Sequence, residues 1–299
     1  MKPSNLKIFR ATDHYENFPV GSILIPKKYR ITVLKVYNFA RLADDIADEG
    51  VIESNERIRL LNLFTDVLIN PVTYIKEHEL HTKKEKEIIK TVLSALNSFE
   101  KPEKIKNLFL SLLEAFKYDA TFVPFQNWEK IFEYCKKSAN PIGRILLVVF
   151  EIEKFAKNKD IYDLILEKSD NVCTGLQIIN FAQDAAEDDK RGRPTFPKNI
   201  WPNSIVRLKE SEFMKLNAIQ KKNLIKKMIQ VGKNKLLEGK ELPKLLRKLD
   251  YEYNFRFSLE IAMVIECGLK VSDKIQKKPD SVWFNTPRLS CFDLPSILF

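Results

Sequence analysis

The chain has 299 residues, of which 44% are hydrophobic and 30% charged, a globular composition long enough for one large core or two small domains. Its eight glycines form no G-x-G-x-x-G or G-K-[ST] motif, which argues against a dinucleotide-binding or P-loop domain. No apolar run approaches the roughly 20 residues of a membrane span. The first ten residues lack the apolar region of a signal peptide, and the four scattered cysteines are typical of reduced thiols, so we expect a cytoplasmic protein.

Hydrophobic residues recur with helical periodicity along most of the chain, and no segment alternates like a strand. The predicted helices are Lys28–Asp48, Glu56–Ile69, Lys83–Leu96, Lys104–Tyr118, Trp128–Phe150, Asp160–Asp188, Glu212–Leu237 and Asn254–Lys277. Prolines separate most of them. The predicted N-caps are Ser4, Asp13, Ser54 and Ser211. The pattern predicts an all-α protein.

The first long helix ends in an acidic stripe. Tyr37, Arg41, Asp44 and Asp48 are spaced by four, three and four residues, which places them on one helical face, and Asp45 lies beside them. The other faces of this helix are largely apolar, which is typical of a buried helix. Burial of unpaired carboxylates costs several kcal/mol, so something must compensate for their charge.

A second helix ends in the same way. Gln177, Asn180, Asp184 and Asp188 are spaced by three, four and four residues. Solvated acids at a helix end would explain one such stripe, but two of them inside apolar helices favour a shared divalent cation. Carboxylate oxygens suit Mg²⁺, which is often shared between one or two carboxylates and a substrate phosphate. Because the two stripes are distant in sequence, a shared metal site favours a single all-α domain over residues 1–299.

Basic residues follow the second stripe directly. Lys190, Arg191 and Arg193 precede a proline that cannot continue the helix, so these cations should lie at its end. Cations beside a metal site suggest a diphosphate ligand, and Arg41 could bind the same group through a bidentate pair. The alternative is ordinary neutralisation of a helix C-terminus by basic side chains.

The predicted helix Trp128–Phe150 contains a proline, Pro141, which must kink or break it. Gly143 permits a close backbone approach nearby, and broken helices often border cavities. A plain helix–helix corner is the alternative.

Aromatic residues also lie beside the polar motifs. Their ring faces could stabilise a carbocation, although core packing is the commoner role of any one ring; they are Phe18, Tyr37, Phe39, Tyr134 and Phe181.

Lysines concentrate between Lys215 and Lys248 in a chain whose net charge is +10. Three explanations remain open at this point. The segment could be a solvated helix face, the commonest case. It could bind an anionic membrane surface, where each basic residue contributes about 1 kcal/mol. Nucleic acid binding is the least favoured, because no recognised module accompanies the charge.

Together these motifs resemble the squalene/phytoene synthase family, and the resemblance extends over nearly the whole chain. It is carried by His14–Val20, Leu24–Pro26, Tyr37–Gly50, Tyr134–Gly143 and Gln177–Asp188, with Arg193 and Pro197. Within the family the sequence is most similar to the bacterial hydroxysqualene synthases of the hopanoid pathway.

The resemblance implies an all-α isoprenoid-synthase fold with helices around a central cavity, and Mg²⁺ as cofactor. The implied metal ligands are Asp44, Asp45, Asp48, Asn180, Asp184 and Asp188. The implied catalytic residues are Tyr37, Arg41, Asp44, Asp48, Tyr134, Gln177, Asn180, Asp184 and Asp188. The implied substrate-binding residues are His14, Phe18, Arg41, Lys190, Arg191 and Arg193.

The implied reaction ionises presqualene diphosphate and captures the rearranged cation with water, giving hydroxysqualene. Three different functions stay open beside it. One is a head-to-head synthase that makes squalene, presqualene diphosphate or phytoene. Another is a non-enzymatic relative that acts as an assembly factor, although such relatives lose the Asp motifs that are intact here. The third is a basic helical protein that binds membranes or nucleic acid. We expect a prenyl diphosphate as the partner, peripheral contact with the inner membrane face, and no nucleic acid; the sequence does not determine an oligomeric state.

Overall fold

A computed structural model describes residues 24–50, 52–76, 81–203, 213–284 and 286–289. These residues form α-helices and short 3₁₀ turns, with no strand among them, as predicted. The helices are α1 Lys27–Asp48, α2 Ser54–Ile69, α3 Pro71–Lys76, α4 Lys83–Leu96, α5 Pro102–Ala120, α6 Trp128–Ser138, α7 Asn140–Val149, α8 Ile152–Phe155, α9 Lys159–Gln183, α10 Ala185–Lys190, α11 Ala218–Glu238, α12 Leu242–Arg247 and α13 Asn254–Lys277. The 3₁₀ turns are Lys198–Ile200, Phe213–Lys215 and Pro279–Trp283.

Helix ends differ from the prediction in several places. Ser54 is the first residue of α2 rather than its cap, which is Glu53. α11 begins at Ala218, where Asn217 and Gln220 form a capping box, and not at the predicted Glu212. The other predicted N-caps, Ser4, Asp13 and Ser211, lie outside the described residues, as does Glu212.

α1 is less buried than its sequence suggested. Its core-facing residues pack well: the Phe39 ring lies 4.2 Å from that of Phe109 and 5.5 Å from that of Phe64. However, Ile31 and Leu34 are 64% and 39% exposed. The helix therefore has one buried side and one accessible side, and its acidic residues do not all have to enter the core.

α9 occupies the centre of the fold, where it packs against α6, α7, α11, α12 and α13. α7 also contacts α1, so it adjoins both long helices that carry the acidic stripes. An apolar cavity of about 320 Å³ lies among α1, α7, α9 and α13. The predicted central cavity is thus present. In the described part of the chain, no helix is both long enough and apolar enough to cross a membrane.

Candidate active site

The first acidic stripe lies on one uninterrupted helix, α1. Arg41 donates hydrogen bonds to Asp44 at 3.2 Å and to Glu49 at 2.6 Å, and it pairs with Asp45 at 2.6 Å. The side chains of Asp44 and Asp48 are 43% and 24% exposed. Arg41 therefore balances part of the charge of this stripe, and the divalent cation stays a prediction.

The C-terminal end of α1 is held by a buried arginine from α2. Arg57 donates to the carbonyl oxygens of Ile46 at 2.6 Å, Gly50 at 2.8 Å and Ile52 at 3.1 Å. Carbonyl groups at the end of a helix have no partner within it, so a side chain that binds them fixes the end of the helix. Arg57 thereby fixes the turn that carries Asp48.

The second stripe is divided between two helices, which the sequence did not predict. α9 ends before Asp184, whose backbone leaves the helical conformation at φ −95° and ψ 9°. The carbonyl of Asp184 then accepts from the amides of Glu187 and Asp188, which starts α10. Gln177 and Asn180 lie half-buried on α9, two turns and one turn before Asp184. Asp188 instead lies on α10.

The basic segment follows α10 through a Schellman turn. Gly192 has φ +67°, its amide donates to the carbonyl of Asp189 at 3.0 Å, and the Arg193 amide donates to that of Asp188 at 2.8 Å. A positive φ favours glycine because other residues are strained there. The cations therefore lie at the end of α10, as predicted. The prediction was wrong about what ends the helix, because Gly192 ends α10 and not a proline.

Arg191 and Arg193 connect the second motif to the rest of the site. Arg191 Nη1 donates to Asp48 Oδ2 at 3.0 Å, which connects the basic turn after the second motif to the first motif. Arg193 Nη2 lies 3.6 Å from Asp119 Oδ1 on α5, and its guanidinium lies 5.6 Å from the centre of the Phe122 ring. All five side chains line a cavity of about 850 Å³. The structure thus brings the last acid of the first motif and the arginines that follow the second motif to one cavity.

Tyr134 lies at the edge of this group. Its hydroxyl donates to Asp119 Oδ2 at 2.8 Å, and its ring packs near those of Phe125 and Phe181, at centroid distances of 5.4 and 5.8 Å. Burial and the neighbouring charge of Asp119 raise the pKa of Tyr134 well above its usual value. The phenol is therefore neutral across the physiological range.

Four carboxyl groups of the site have raised pKa values, and desolvation is the main cause for each. The pKa of Asp44 rises to about 7, with the Asp48 charge as a second cause, and that of Asp188 rises to about 7, with Asp184 as the second cause. The pKa values of Asp119 and Asp184 rise to about 6. Carboxylates that raise one another's pKa values form a site of concentrated negative charge.

The predicted central helix is broken at Ala139, between α6 and α7. The buried Asn140 lies 2.9 Å from the Thr174 hydroxyl, and its amide, once oriented to satisfy the network, donates to the carbonyl of Cys135 at 3.3 Å. A Cβ at Gly143 would lie 2.5 Å from Ser169 Oγ, so glycine is required for the approach of α7 to α9. Ile142 and Gly143, just after the break, line the apolar cavity, which agrees with the first of the two interpretations of the break.

The apolar cavity receives one residue of the first stripe, Tyr37, together with Ala40 one turn before Asp44. Ile142, Leu146 and other aliphatic side chains form most of its wall. Because Tyr37 belongs to the same helical face as the acids, this wall continues from the acidic stripe along α1.

The remaining predicted site residues are less well placed or are not described. Lys190 is exposed and forms no ion pair within the described residues, so it is not brought to the cavity. His14 and Phe18 lie outside the described residues. Phe39, one of the aromatic residues beside the first motif, is fully buried in the core and does not face a cavity.

Several residues of the site were not found from the sequence. Asp119 is an isolated acid near the end of α5, and only the fold brings it to Tyr134 and Arg193. Thr195 donates to Asp188 at 3.3 Å. Arg288 lowers the pKa of Asp184 through its charge. None of these residues belongs to a spaced motif, so single-sequence periodicity gave no signal for them.

The chain is similar to a family model and to relatives with known names. The family model described as Squalene/phytoene synthase matches residues 11–291. Hydroxysqualene synthase of Zymomonas mobilis is 31% identical over 178 residues, which is 58% of this chain and 51% of that protein. Hydroxysqualene synthase of Sinorhizobium fredii is 33% identical over 178 residues, or 60% and 53% of the two chains. The matched part of this chain spans about half the length of these relatives.

Solved structures show the fold independently. The squalene synthase HpnC from Alicyclobacillus acidocaldarius has a TM-score of 0.64 and 23% identity, with 89% of each chain covered. A dehydrosqualene synthase crystallised with a ligand has a TM-score of 0.63 and 18% identity, with 92% of this chain and 86% of that one covered. The helical architecture is the isoprenoid-synthase fold of these proteins. With the family match over residues 11–291, the chain belongs to the squalene/phytoene synthase family.

Proposed function

We propose that this protein converts presqualene diphosphate and water to hydroxysqualene and diphosphate. The observation that carries the proposal is the hydrogen bond from Arg191 to Asp48, which connects the basic turn after the second acidic motif to the last acid of the first motif at one cavity. The apolar cavity along the same face of α1 supplies space for a prenyl chain. Relatives named hydroxysqualene synthase, 31% and 33% identical, support the choice within the family.

Mg²⁺ is the proposed cofactor, with Asp44, Asp48, Asp184 and Asp188 as its ligands; Asp45 and Asn180 are weaker candidates. In the described residues, no three acidic, histidine or cysteine side chains converge closely enough to hold a metal by themselves. The donor set still fits Mg²⁺, which usually takes one or two carboxylates and completes its shell with water and substrate phosphate. When bound, the ion would act as a Lewis acid on the leaving group.

Three arginines of the site would bind the diphosphate in this reaction. Arg41, Arg191 and Arg193 lie beside the acids and can bind the oxygens of a diphosphate, which accepts charge-assisted hydrogen bonds from guanidinium groups. Their charge favours departure of the diphosphate with the bonding electron pair, which leaves a prenyl cation. The aliphatic wall of the apolar cavity, with the Tyr37 ring, would then keep that cation away from bulk water.

Water capture completes the proposed reaction. The oxygen of one water forms a bond to the cationic carbon and then loses a proton, which the released diphosphate can accept. Gln177 and Asn180 carry amide groups on α9 next to the acids, and we propose that they orient this water. The product is a neutral alcohol, and no reductant is consumed.

Product analysis in ¹⁸O-labelled water tests the reaction. With presqualene diphosphate and Mg²⁺ alone, we expect hydroxysqualene that carries one ¹⁸O atom, identified by mass spectrometry. Excess EDTA should abolish turnover, and added Mg²⁺ should restore it. An unlabelled alcohol would contradict water capture, and turnover that persists in EDTA would contradict the metal requirement.

A head-to-head synthase is the second candidate, and it is favoured by the names of two further relatives. Phytoene synthases of Cereibacter sphaeroides and Mycobacterium tuberculosis are 21% and 23% identical to this chain. This candidate predicts a hydrocarbon or presqualene diphosphate from simple prenyl diphosphates, or a hydrocarbon only when NADPH is added. Absence of product under every one of these conditions would favour an assembly factor instead.

We also propose peripheral contact between α11 and an anionic membrane surface. The helix has no acidic residue before Glu238, and Lys222, Lys226 and Lys227 are exposed on it. Ile219 and Phe284 are 72% and 81% exposed at its N-terminal end. Basic residues with nearby apolar side chains suit the interface of anionic bilayers.

Vesicle sedimentation tests this contact. Changing Lys221, Lys222, Lys226 and Lys227 to Gln should reduce binding to phosphatidylglycerol vesicles, while turnover of detergent-dispersed substrate should not change. The control replaces four lysines of α4, which are Lys83, Lys84, Lys86 and Lys90. If both variants lose the same amount of vesicle binding, the net charge of the protein alone explains the binding. If the α11 variant binds as well as the unaltered protein, the lysines of α11 form a solvated helix face.

A further inference from the structure

Asp119 on α5 connects Tyr134 of α6 to Arg193 in the turn after α10, which no sequence motif predicted. One oxygen of its carboxylate accepts the Tyr134 hydroxyl of α6 at 2.8 Å, and the other lies 3.6 Å from the Arg193 guanidinium. The Asp119 side chain is 15% exposed, so it lies largely out of solvent. It also lines the 850 Å³ cavity together with Asp48. The carboxylate therefore has two partners from two different elements and stands at the wall of the diphosphate site.

The direction of the hydrogen bond limits what Tyr134 can do. A phenol has one proton, and here that proton is directed to Asp119. The oxygen can then offer only its lone pairs to any further partner. The Tyr134 hydrogen bond and the Arg193 charge both favour the ionised carboxylate against its burial, and the ionised form accepts hydrogen bonds but cannot donate one back.

We propose that Asp119 is a positioning residue that fixes the Tyr134 hydroxyl with its proton turned away from the reacting groups. Tyr134 would then act as a hydrogen-bond acceptor and as the negative end of a dipole beside the prenyl cation or the attacking water. It would not donate a proton to the diphosphate. The inference deepens the proposed function and rests on it for the identity of the reacting groups, but the contact between Asp119 and Tyr134 can be tested without substrate.

A purely structural role is the competing explanation, since Asp119 also ties α5 to α6. The chain offers a matched control for it. Glu114, on the same helix, pairs at 2.6 Å with Lys137 of α6, so the two acids link the same pair of helices. Replacing Glu114 by Gln removes the same charge and an exposed ion pair between the same two helices, and Glu114 does not line the 850 Å³ cavity.

The first measurement is spectroscopic and needs no substrate. Protein labelled with ¹³Cζ-tyrosine gives one signal for Tyr134, assigned by its loss in Tyr134→Phe. We expect this signal to shift in Asp119→Asn, because a hydrogen bond to a carboxylate is replaced by one to an amide, and to stay in place in Glu114→Gln. An unchanged signal in Asp119→Asn would overturn the inference whatever the reaction is.

The second measurement is kinetic, with presqualene diphosphate and Mg²⁺. Asp119→Asn should lower kcat by roughly tenfold or more and change KM by less than about threefold, because the interaction serves the transition state. The double variant Asp119→Asn with Tyr134→Phe should lose no more than Tyr134→Phe alone, as expected for residues that act as a unit. Glu114→Gln should keep the rate.

The outcomes separate this inference from the proposed function. Multiplicative losses in the double variant, or the same loss in Glu114→Gln, would show that Asp119 does not act through Tyr134. If the unaltered protein releases no hydroxysqualene, the proposed function fails, and the spectroscopic result alone then decides whether Asp119 positions Tyr134.

Discussion

The two acidic motifs have nearly the same spacing in the sequence but are built differently. The first lies on a continuous helix and receives its balancing cation, Arg41, from that same helix. The second is broken at Asp184, and its cations, Arg191 and Arg193, come from the turn beyond α10. Equal spacing therefore does not determine equal local structure, and the charge balance of each motif depends on residues outside its acids.

The ends of the two motifs show the same contrast. Each helix is followed by a glycine of positive φ, Gly50 at 71° and Gly192 at 67°. After α1, the turn is held by the side chain of Arg57. After α10, the backbone closes a Schellman turn. The buried Asp189 carboxylate also accepts hydrogen bonds from the backbone amides of Phe213, at 3.1 Å, and Met214, at 2.7 Å. A cation supports one motif and an anion the other.

The largest expected effect comes from the last acid of each motif. Asp48→Asn and Asp188→Asn should each lower turnover by at least ~10²-fold, because Asn keeps the shape but removes the charge that holds the metal, and each tenfold corresponds to about 1.4 kcal/mol. Circular dichroism should show unchanged helix content. If only one of the two variants keeps a near-normal rate, the motif that it alters does not bind the metal. The two motifs would then differ in function as well as in local structure.

The supports should matter for stability rather than chemistry. Arg57→Met leaves carbonyl groups at the end of α1 without partners, and Asp189→Asn places an amide NH₂ against backbone donors. Each change should cost about 1–3 kcal/mol of unfolding free energy, the usual cost of leaving buried polar groups unpaired. Urea unfolding measures this cost.

Asp188→Asn is the matched control, since it changes the neighbouring residue of the same turn and should not destabilise the metal-free protein. If Asp189→Asn unfolded at the same urea concentration as the unaltered protein, Asp189 would not support the second motif.

The sequence predicted the long helices well because each has a continuous apolar face, and prolines mark most of the gaps. Lys83–Leu96 and Asn254–Lys277 have the predicted bounds. The short helices α3 and α12 were missed because Pro71 and Pro243 were interpreted as breaks, whereas proline is well suited to the first turn of a helix. The break at Asp184 was missed because no proline or glycine marks it.

The candidate site residues were predicted from helical spacing within the two motifs, whereas Tyr134 followed from the family resemblance. Periodicity identified the acids of both motifs, and the basic segment followed from its position after the second one. Arg57, Asp119 and Asp189 are single charged residues whose roles depend on partners distant in sequence. Their neighbours are set by tertiary packing, which no local pattern encodes.

The two glycines test the helix ends directly. Gly50→Ala and Gly192→Ala should each cost about 1 kcal/mol, the usual penalty for a side chain at positive φ. The space around Gly50 is open, so its variant should lose stability only. Gly192→Ala should also lower turnover, because the Schellman turn places Arg193 beside Asp119. Thermal unfolding and steady-state kinetics separate the two effects, and an equal loss of turnover in both variants would contradict the difference between the turns.

The smallest expected effect is the pH dependence of stability in the metal-free protein. The pKa values of Asp44 and Asp188, about 7, lie above the roughly 3.9 of an unfolded chain. Between these values the native state binds more protons than the unfolded state, so this contribution makes stability fall as pH rises from about 4 to 7. Paired surface acids such as Glu85, whose pKa is lowered to about 2, act in the opposite direction, but below this window.

The difference between variants isolates this contribution from other titrating groups. Asp44→Asn and Asp188→Asn remove the two carboxyls in turn, so each metal-free variant should be more stable than the unaltered protein at pH 8 and nearly equal to it at pH 4.5. We expect on the order of 1 kcal/mol for each, a value reduced by solvent screening of these partly exposed groups. Asp44 has Arg41 on its own helix, whereas Asp188 depends on the arginines of the following turn, whose charge lowers its pKa. The stability gained by Asp188→Asn at pH 8 should therefore be larger in a protein that also carries Arg191→Gln. Calorimetry in EDTA at the two pH values measures these differences. A gain at pH 4.5 equal to the gain at pH 8 would show that the substitutions act through packing and not through charge.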